Sequence, residues 1–184
     1  ELLREGRVTS EERRQDYYEM ICRESDRLAR LFENLLDFSR MEEGRKEYRF
    51  APLETAVWLR HLAVEFQADI ASSGVTVAAS IPEALPGRHA DREALTCAVH
   101  NLLDNAVKYS PDAKTVWLDA DARNGEVIIR VRDQGVGIAE ADRKHIFEKF
   151  YRGRSAAKET KGAGLGLALV TRIVRAHGGS IEVQ

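Results

Sequence analysis

The segment from His100 to Ser110 constrains the fold of this chain more than any other stretch. Leu102, Leu103, Ala106 and Val107 recur with helical spacing and need an apolar neighbour to cover them. Asn101, Asn105 and Lys108 fall at i, i+4 and i+7 on a second stripe of the same helix. Such a helix is buried on one side. On the other it presents two amides, a lysine and, with Tyr109, an aromatic ring. Two amides in register followed by a cation and a ring equip that face for a magnesium-bound nucleotide.

Three later segments fit the same ligand. Asp133-Gln134-Gly135-Val136-Gly137 follows a strand-like run. A carboxylate only accepts hydrogen bonds, which matches the exocyclic amine of adenine and mismatches the carbonyl of guanine. Gly135 and Gly137 allow backbone to approach a base closely. Gly162, Gly164 and Gly166 stand just before a helical run beginning at Leu165, where exposed amides and the helix dipole form a phosphate cradle. No Gly-Lys-Ser/Thr follows, so this is not a Walker A loop, and the spacing is not that of a Rossmann turn. Between them lie Phe147, Phe150 and Tyr151, expected to pack as an aromatic cluster. The polar stretch Gly153 to Ala163, with Lys158 and Lys161, reads as a lid over a triphosphate. Asp-x-Gly-x-Gly is also a common turn, so it gains meaning only from the helix before it.

In this order the segments resemble the N, G1, F and G2 boxes of the sensor histidine kinases, within the ATPase superfamily shared with gyrase, Hsp90 and MutL. The resemblance covers Asp91 to Gln184. It implies that Asn105 ligates Mg²⁺, with Asn101 as a second contact to metal or phosphate and Lys108 meeting phosphate. Asn101, Asn105 and Lys108 are then the catalytic set. Tyr109 and Asp133, with Gly135 and Gly137, hold the adenine. Gly162, Gly164, Leu165 and Gly166 hold the phosphates. Arg152 and Arg154 are candidates for the γ-phosphate, with solvation as their plain alternative. ATP and Mg²⁺ are the implied cofactors.

Glu11 to Met41 contains no proline or glycine, and Ser10 is a plausible cap. Tyr17, Ile21, Glu24, Leu28, Leu31, Leu35 and Phe38 alternate by four and three, a seam suited to a helical bundle or homodimer. Gly44 ends it. Beyond it we expect a linking strand at 45–50, a helix from Leu53 to Ala71, a strand from Val75 to Ile81, and a hairpin of 116–122 with 127–131 over Asn124-Gly125. A helix from Leu165 to Ala176 and a strand at 180–183 complete the pattern. The expected fold class is α+β, a two-layer α/β sandwich of the Bergerat type preceded by a long helix. The expected domains are 1–48, a partial dimerisation and phosphotransfer region, and 49–184, a catalytic ATP-binding domain lacking its last strands.

The formal net charge is −2, without charge blocks, so nucleic acid and anionic membrane are not expected as main partners. No apolar run approaches the roughly 20 residues that span a bilayer. A membrane would be met only through regions outside this chain, with the domain itself cytoplasmic at the inner face of a bacterial plasma membrane. Cys22 and Cys97 lie outside any metal or redox spacing.

The chain departs from the resemblance in one respect. The family's phosphoacceptor sits in an H box, and the five histidines here are His61, His89, His100, His145 and His177. None lies in the first helical region, and His145 and His177 read as helical. The chain is therefore expected to be part of a larger kinase whose histidine receives the γ-phosphate and passes it to a response-regulator receiver domain. Asn101 stands where the gyrase branch has a glutamate base, and an amide cannot act as one. That disfavours an ATP hydrolase. A nucleotide-dependent switch, or a degenerate kinase without transfer activity, is the remaining alternative.

Overall fold

The computed structural model describes residues 10–42, 46–153 and 163–184. The chain divides into two compact units, Glu1–Lys46 and Glu47–Gln184. Among the described residues, the first contains the helix α1 (Glu11–Glu42). Ser10 starts it: its hydroxyl accepts the Arg13 N–H at 3.4 Å, and its carbonyl accepts the Arg14 N–H at 3.0 Å. Ile21 and Leu35 of the expected seam are exposed, as are Met20, Phe32 and Leu36.

The second unit runs β1 (Ala51–Leu53), α2 (Thr55–Asp69), β2 (Thr76–Ser80), β3 (Arg88–Ala90), α3 (Arg92–Lys108), β4 (Thr115–Arg123), β5 (Glu126–Arg132) and α4 (Gly166–Ala176). The main sheet has the order β2-β4-β5; β2 is parallel to β4, and β4 forms an antiparallel hairpin with β5. A separate antiparallel pair joins β1 to β3. Period-two alternation along β4 decides which face is covered. Val116, Leu118 and Ala120 enter a core with Leu59, Leu62 and Phe66 of α2 and Val99, Leu103 and Ala106 of α3. On the other face, Arg132 pairs with Asp119 at 2.7 Å and lies over the Trp117 ring. The result is the expected two-layer α+β sandwich. It positions α3 with its apolar side on the sheet and its amide side turned away.

Three local expectations are corrected. Residues 46–50 form no strand, and β1 starts at Ala51 beside β3, which periodicity did not reveal. A three-residue edge pair can hold Pro52, and it is too short to show alternation. Residues 180–184 form no strand either. Ile181 and Val183 are half-buried while Glu182 and Gln184 are exposed, so the alternation is present without a ladder. His145 lies in a run of turns, and His177 follows the last residue of α4 as its cap.

Candidate functional site

The site is built around the second half of α3. Asp91 begins this helix, its Oδ1 accepting the Ala94 N–H at 2.9 Å. With Leu103 and Ala106 fully buried, helical geometry brings Asn101 and Asn105 together on a half-buried face. The Asn101 Nδ2 donates to the Cys97 carbonyl one turn earlier, at 2.8 Å. That bond aims the Asn101 oxygen toward the start of α4. There, a Cβ placed on Gly166 would lie 2.9 Å from Asn101 Oδ1 and 3.9 Å from Asn105 Nδ2. A side chain at 166 would therefore displace the Asn101 amide, while glycine lets the start of α4 lie beside both asparagines.

On the other side, α3 ends at Tyr109, and the G1 loop docks directly on its last turn. The Val136 N–H donates to the Tyr109 carbonyl at 3.2 Å. A Cβ on Gly135 would overlap that same carbonyl oxygen and lie 2.7 Å from Ser110 Oγ. Asp133 Oδ1 accepts the Gly135 N–H at 2.8 Å and the Ser110 hydroxyl at 3.2 Å. Its second oxygen has no partner among the described residues and stands exposed. It is thus in place to accept an amine from a ligand. Lys108 folds over its neighbour, with Nζ 4.8 Å from the Tyr109 ring centre and 3.2 Å from its hydroxyl.

The last expected group enters from the chain after β5. The Phe150 N–H donates to the Gly164 carbonyl at 2.9 Å, and a Cβ on Gly164 would meet backbone atoms of Phe150 and Tyr151 at 2.8–2.9 Å. Arg152 is exposed. The Leu165 side chain is buried, so its backbone is the part that can face a phosphate. Gly162, Arg154, Lys158 and Lys161 lie outside the described residues. The expected ring cluster is looser than its spacing implied: Phe150 is 66% exposed, while Tyr151 leans on His145 at 5.5 Å.

Two anchoring residues escaped the sequence reading. Ser110 is fully buried and holds Asp133; its place right after the asparagine helix and before Pro111 was the available signal. Asp142 is buried and accepts the Tyr151 hydroxyl at 2.7 Å. Nothing in its charged surroundings distinguished it from a solvated carboxylate.

The donor set fits a hard cation such as Mg²⁺: Asn101 turns its amide oxygen to the opening at Gly166, and the Asn105 amide, whose nitrogen lies nearest Gly166, could offer its oxygen after rotation about its last side-chain bond. A hard cation that brings its own waters and phosphate oxygens needs few protein ligands.

A sandwich with paired asparagines on one helix, an acidic glycine loop at that helix's end and a glycine-started helix beside it defines an ATP-binding domain of the kind found in histidine kinases. The chain belongs to the family described as histidine kinase-, DNA gyrase B- and HSP90-like ATPase, whose sequence model matches residues 90–184. The model of the His Kinase A (phospho-acceptor) domain matches residues 1–44. The chain is 30% identical over 192 residues to the sensor protein KdpD of Clostridium acetobutylicum, covering 98% of this chain and 20% of that protein. It is 32% identical over 156 residues to the adaptive-response sensory kinase SasA of Synechocystis sp., covering 84% of this chain and 40% of that protein. It is also similar in structure to full-length ShkA in complex with AMPPNP, with a TM-score of 0.71 and 32% identity over 93% of this chain and 35% of that one. The curated relatives it matches are much longer: the chain spans 20% of one and 44% of another. No helix among the described residues is long and apolar enough to cross a membrane.

Proposed function

We propose that this chain binds Mg²⁺–ATP and supplies the catalytic half of a protein-histidine kinase reaction. The γ-phosphate passes to a histidine outside residues 1–184 and thence to an aspartate of a response-regulator receiver domain. One observation carries the reading: Asn101, Asn105, Gly166 and the Asp133 loop converge on one end of α3. Asp133 accepts the adenine amine through its unpartnered oxygen. Backbone N–H groups at the start of α4 take phosphate oxygens, and Lys108 meets them as a point charge once it leaves Tyr109. Asn105 and Asn101 would hold Mg²⁺, which when bound spreads the charge of the transferring phosphoryl group. Asn101 abstracts no proton, and attack needs no base because a neutral imidazole presents a free lone pair; as the N–P bond forms and the bond to ADP breaks, the proton on its other nitrogen leaves to solvent.

The exposed Ile21, Met20, Phe32 and Leu36 on α1, together with the phospho-acceptor match, support a homodimer through that helix. We place the domain on the cytoplasmic side of the membrane, with any membrane contact made by other regions. The competing reading is an ATP-dependent switch without transfer, which the same nucleotide site would serve. Calorimetry of Mg²⁺–ATP binding to the chain and to Asn105→Ala tests the site. Incubation with labelled ATP and a separate H-box helix tests transfer. Label on the helix histidine supports the kinase; binding without label leaves the switch; no binding removes both.

A further inference from the structure

Far from the asparagines, the other ends of α3 and α4 meet at His177. The helices are antiparallel, with the start of α4 against Asn101 and its end against Asp91. The His177 Nδ1 lies 2.8 Å from the Ile173 carbonyl, and its Nε2 lies 3.0 Å from the Asp91 backbone nitrogen. A carbonyl accepts and an N–H donates, so one tautomer satisfies both contacts: proton on Nδ1, lone pair on Nε2. Asp91 is itself buried, and its carboxylate accepts the Ala94 N–H through one oxygen and the Arg49 N–H, at 2.9 Å, through the other. The same imidazole carries two rings of the segment that follows the first unit in sequence. Tyr48 meets it edge-on at 5.6 Å and Phe50 at 4.9 Å, with Phe50 also stacked on His89 at 6.3 Å.

We propose that His177, as a neutral ring, is a positioning residue that fixes α3 against α4 and couples the segment Tyr48–Phe50 to the nucleotide site. The inference rests on the ATP reading for its effect on binding, but not for its geometry. ATP needs the asparagine face of α3 and the glycine start of α4 at one spacing. At that end the backbone of Gly166 lies close to the Asn101 side chain, and at the far end the hydrogen bond of His177 to Asp91 holds α4 against α3. Whatever moves Tyr48 or Phe50 moves the ring, and through it both helices. Protonation places a second N–H on Nε2 facing the Asp91 N–H, donor against donor, and the tie is lost. The titratable and charged groups around the ring are Asp91 at the start of α3, Tyr48 and Arg49 from the segment, His89 of β3 behind Phe50, and Arg175 of α4.

The test begins without nucleotide. In the isotope-labelled chain, the ring spectrum of His177 should show the tautomer with its proton on Nδ1 and its lone pair on Nε2, facing the Asp91 N–H. A neutral ring with its proton on Nε2 instead overturns the proposal. Mg²⁺–ATP titrations of the parent, His177→Leu, His177→Gln, Phe50→Ala and the Phe50→Ala/His177→Leu pair follow. His177→Leu should weaken binding about fivefold or more, the lower end of coupling between sites. His177→Gln, whose amide oxygen can accept the Asp91 N–H, should restore most of it. Phe50→Ala should weaken the parent and add little to His177→Leu. If these variants melt at lower temperature yet bind ATP as the parent does, His177 is only structural and the proposal fails. If the parent binds no ATP, the functional reading fails instead. The proposal is then decided by whether His177→Gln and Phe50→Ala shift the amides of Asn101 to Asn105 and of Gly166; unshifted amides overturn it.

Discussion

Asp133 is held by the buried hydroxyl of Ser110, 3.2 Å from its Oδ1, so the carboxylate that faces the ligand is anchored from inside the domain. The same oxygen takes the Gly135 N–H, leaving the other free for an amine. Ser110→Ala removes one bond to a charged acceptor. It should lower stability by about 1 kcal/mol, since Asp133 keeps its backbone donor and its exposure to water. ATP affinity should fall several-fold as the carboxylate loses its fixed direction. Equal affinity in the two proteins would show that the anchor has no part in recognition.

Asp133→Asn keeps the shape of the side chain but replaces one oxygen with a donor. If the carboxylate reads an exocyclic amine, one charge-assisted bond is exchanged for a clash of donors. ATP affinity should drop by about 10- to 100-fold, as expected for a bond worth about 1.5–3 kcal/mol. Thermal stability should change little at an exposed position. A fall in melting temperature with unaltered nucleotide affinity would assign Asp133 to the loop rather than to the base.

Asn105 makes no side-chain hydrogen bond among the described residues and sits half-buried in the last turn of α3. Asn105→Ala places a better helix former there, so the melting temperature should hold or rise slightly. Magnesium-dependent ATP binding should disappear. Retained binding, with the same dependence on magnesium, would move the metal to Asn101 or to waters alone.

How far the sequence announced these features depended on the kind of force that makes them. Leu103 and Ala106 on one stripe and Asn101 and Asn105 on the other express helical period and burial, which spacing encodes directly. The β4–β5 hairpin was legible for the same reason, because Asn124-Gly125 is a local instruction. The contacts of Ser110 with Asp133 and of His177 with Asp91 join residues 23 and 86 positions apart. No local pattern records such pairings. The edge pair of β1 and β3 went unread because three residues show no alternation. At Leu165 spacing marks the helix start but not the fate of the side chain, which is buried while the backbone remains to face a ligand.

Asp121, on the open face of the sheet, offers a pH test. The Arg123 side chain hydrogen-bonded to it, helped by the Ala122 N–H, holds its carboxyl below the usual carboxylate range. A carboxyl lowered on folding contributes stability above its unfolded value and loses that contribution as pH falls through its folded value. The pair lies at the surface in contact with solvent, so the contribution should be small and screened by salt. Arg123→Ala should raise the Asp121 titration midpoint, read by carboxyl resonance, and leave stability at neutral pH nearly unaltered. An unmoved midpoint would remove Arg123 as the main cause.

Gly164 separates backbone strain from crowding. Its φ of +69° is one that side chains with a Cβ adopt reluctantly. Alanine there would also press on Phe150 and Tyr151 at 2.8–2.9 Å. The atoms it meets are all backbone, so no rotamer change relieves the contact. Gly178 has a similar φ of +74° with open space around it. Gly178→Ala should therefore cost about 1 kcal/mol, the left-handed penalty alone. Gly164→Ala carries that penalty and an overpacking term of about 1–3 kcal/mol. It should also detach the Phe150 N–H from the Gly164 carbonyl, which amide exchange at Phe150 would report. Since Gly164 stands two residues before the helix start that faces Asn101, ATP affinity should fall with it, while Gly178→Ala should bind as the parent does. Equal melting temperatures for the two variants would mean that the chain at Gly164 relaxes away from Phe150, and that this contact does not set the start of α4.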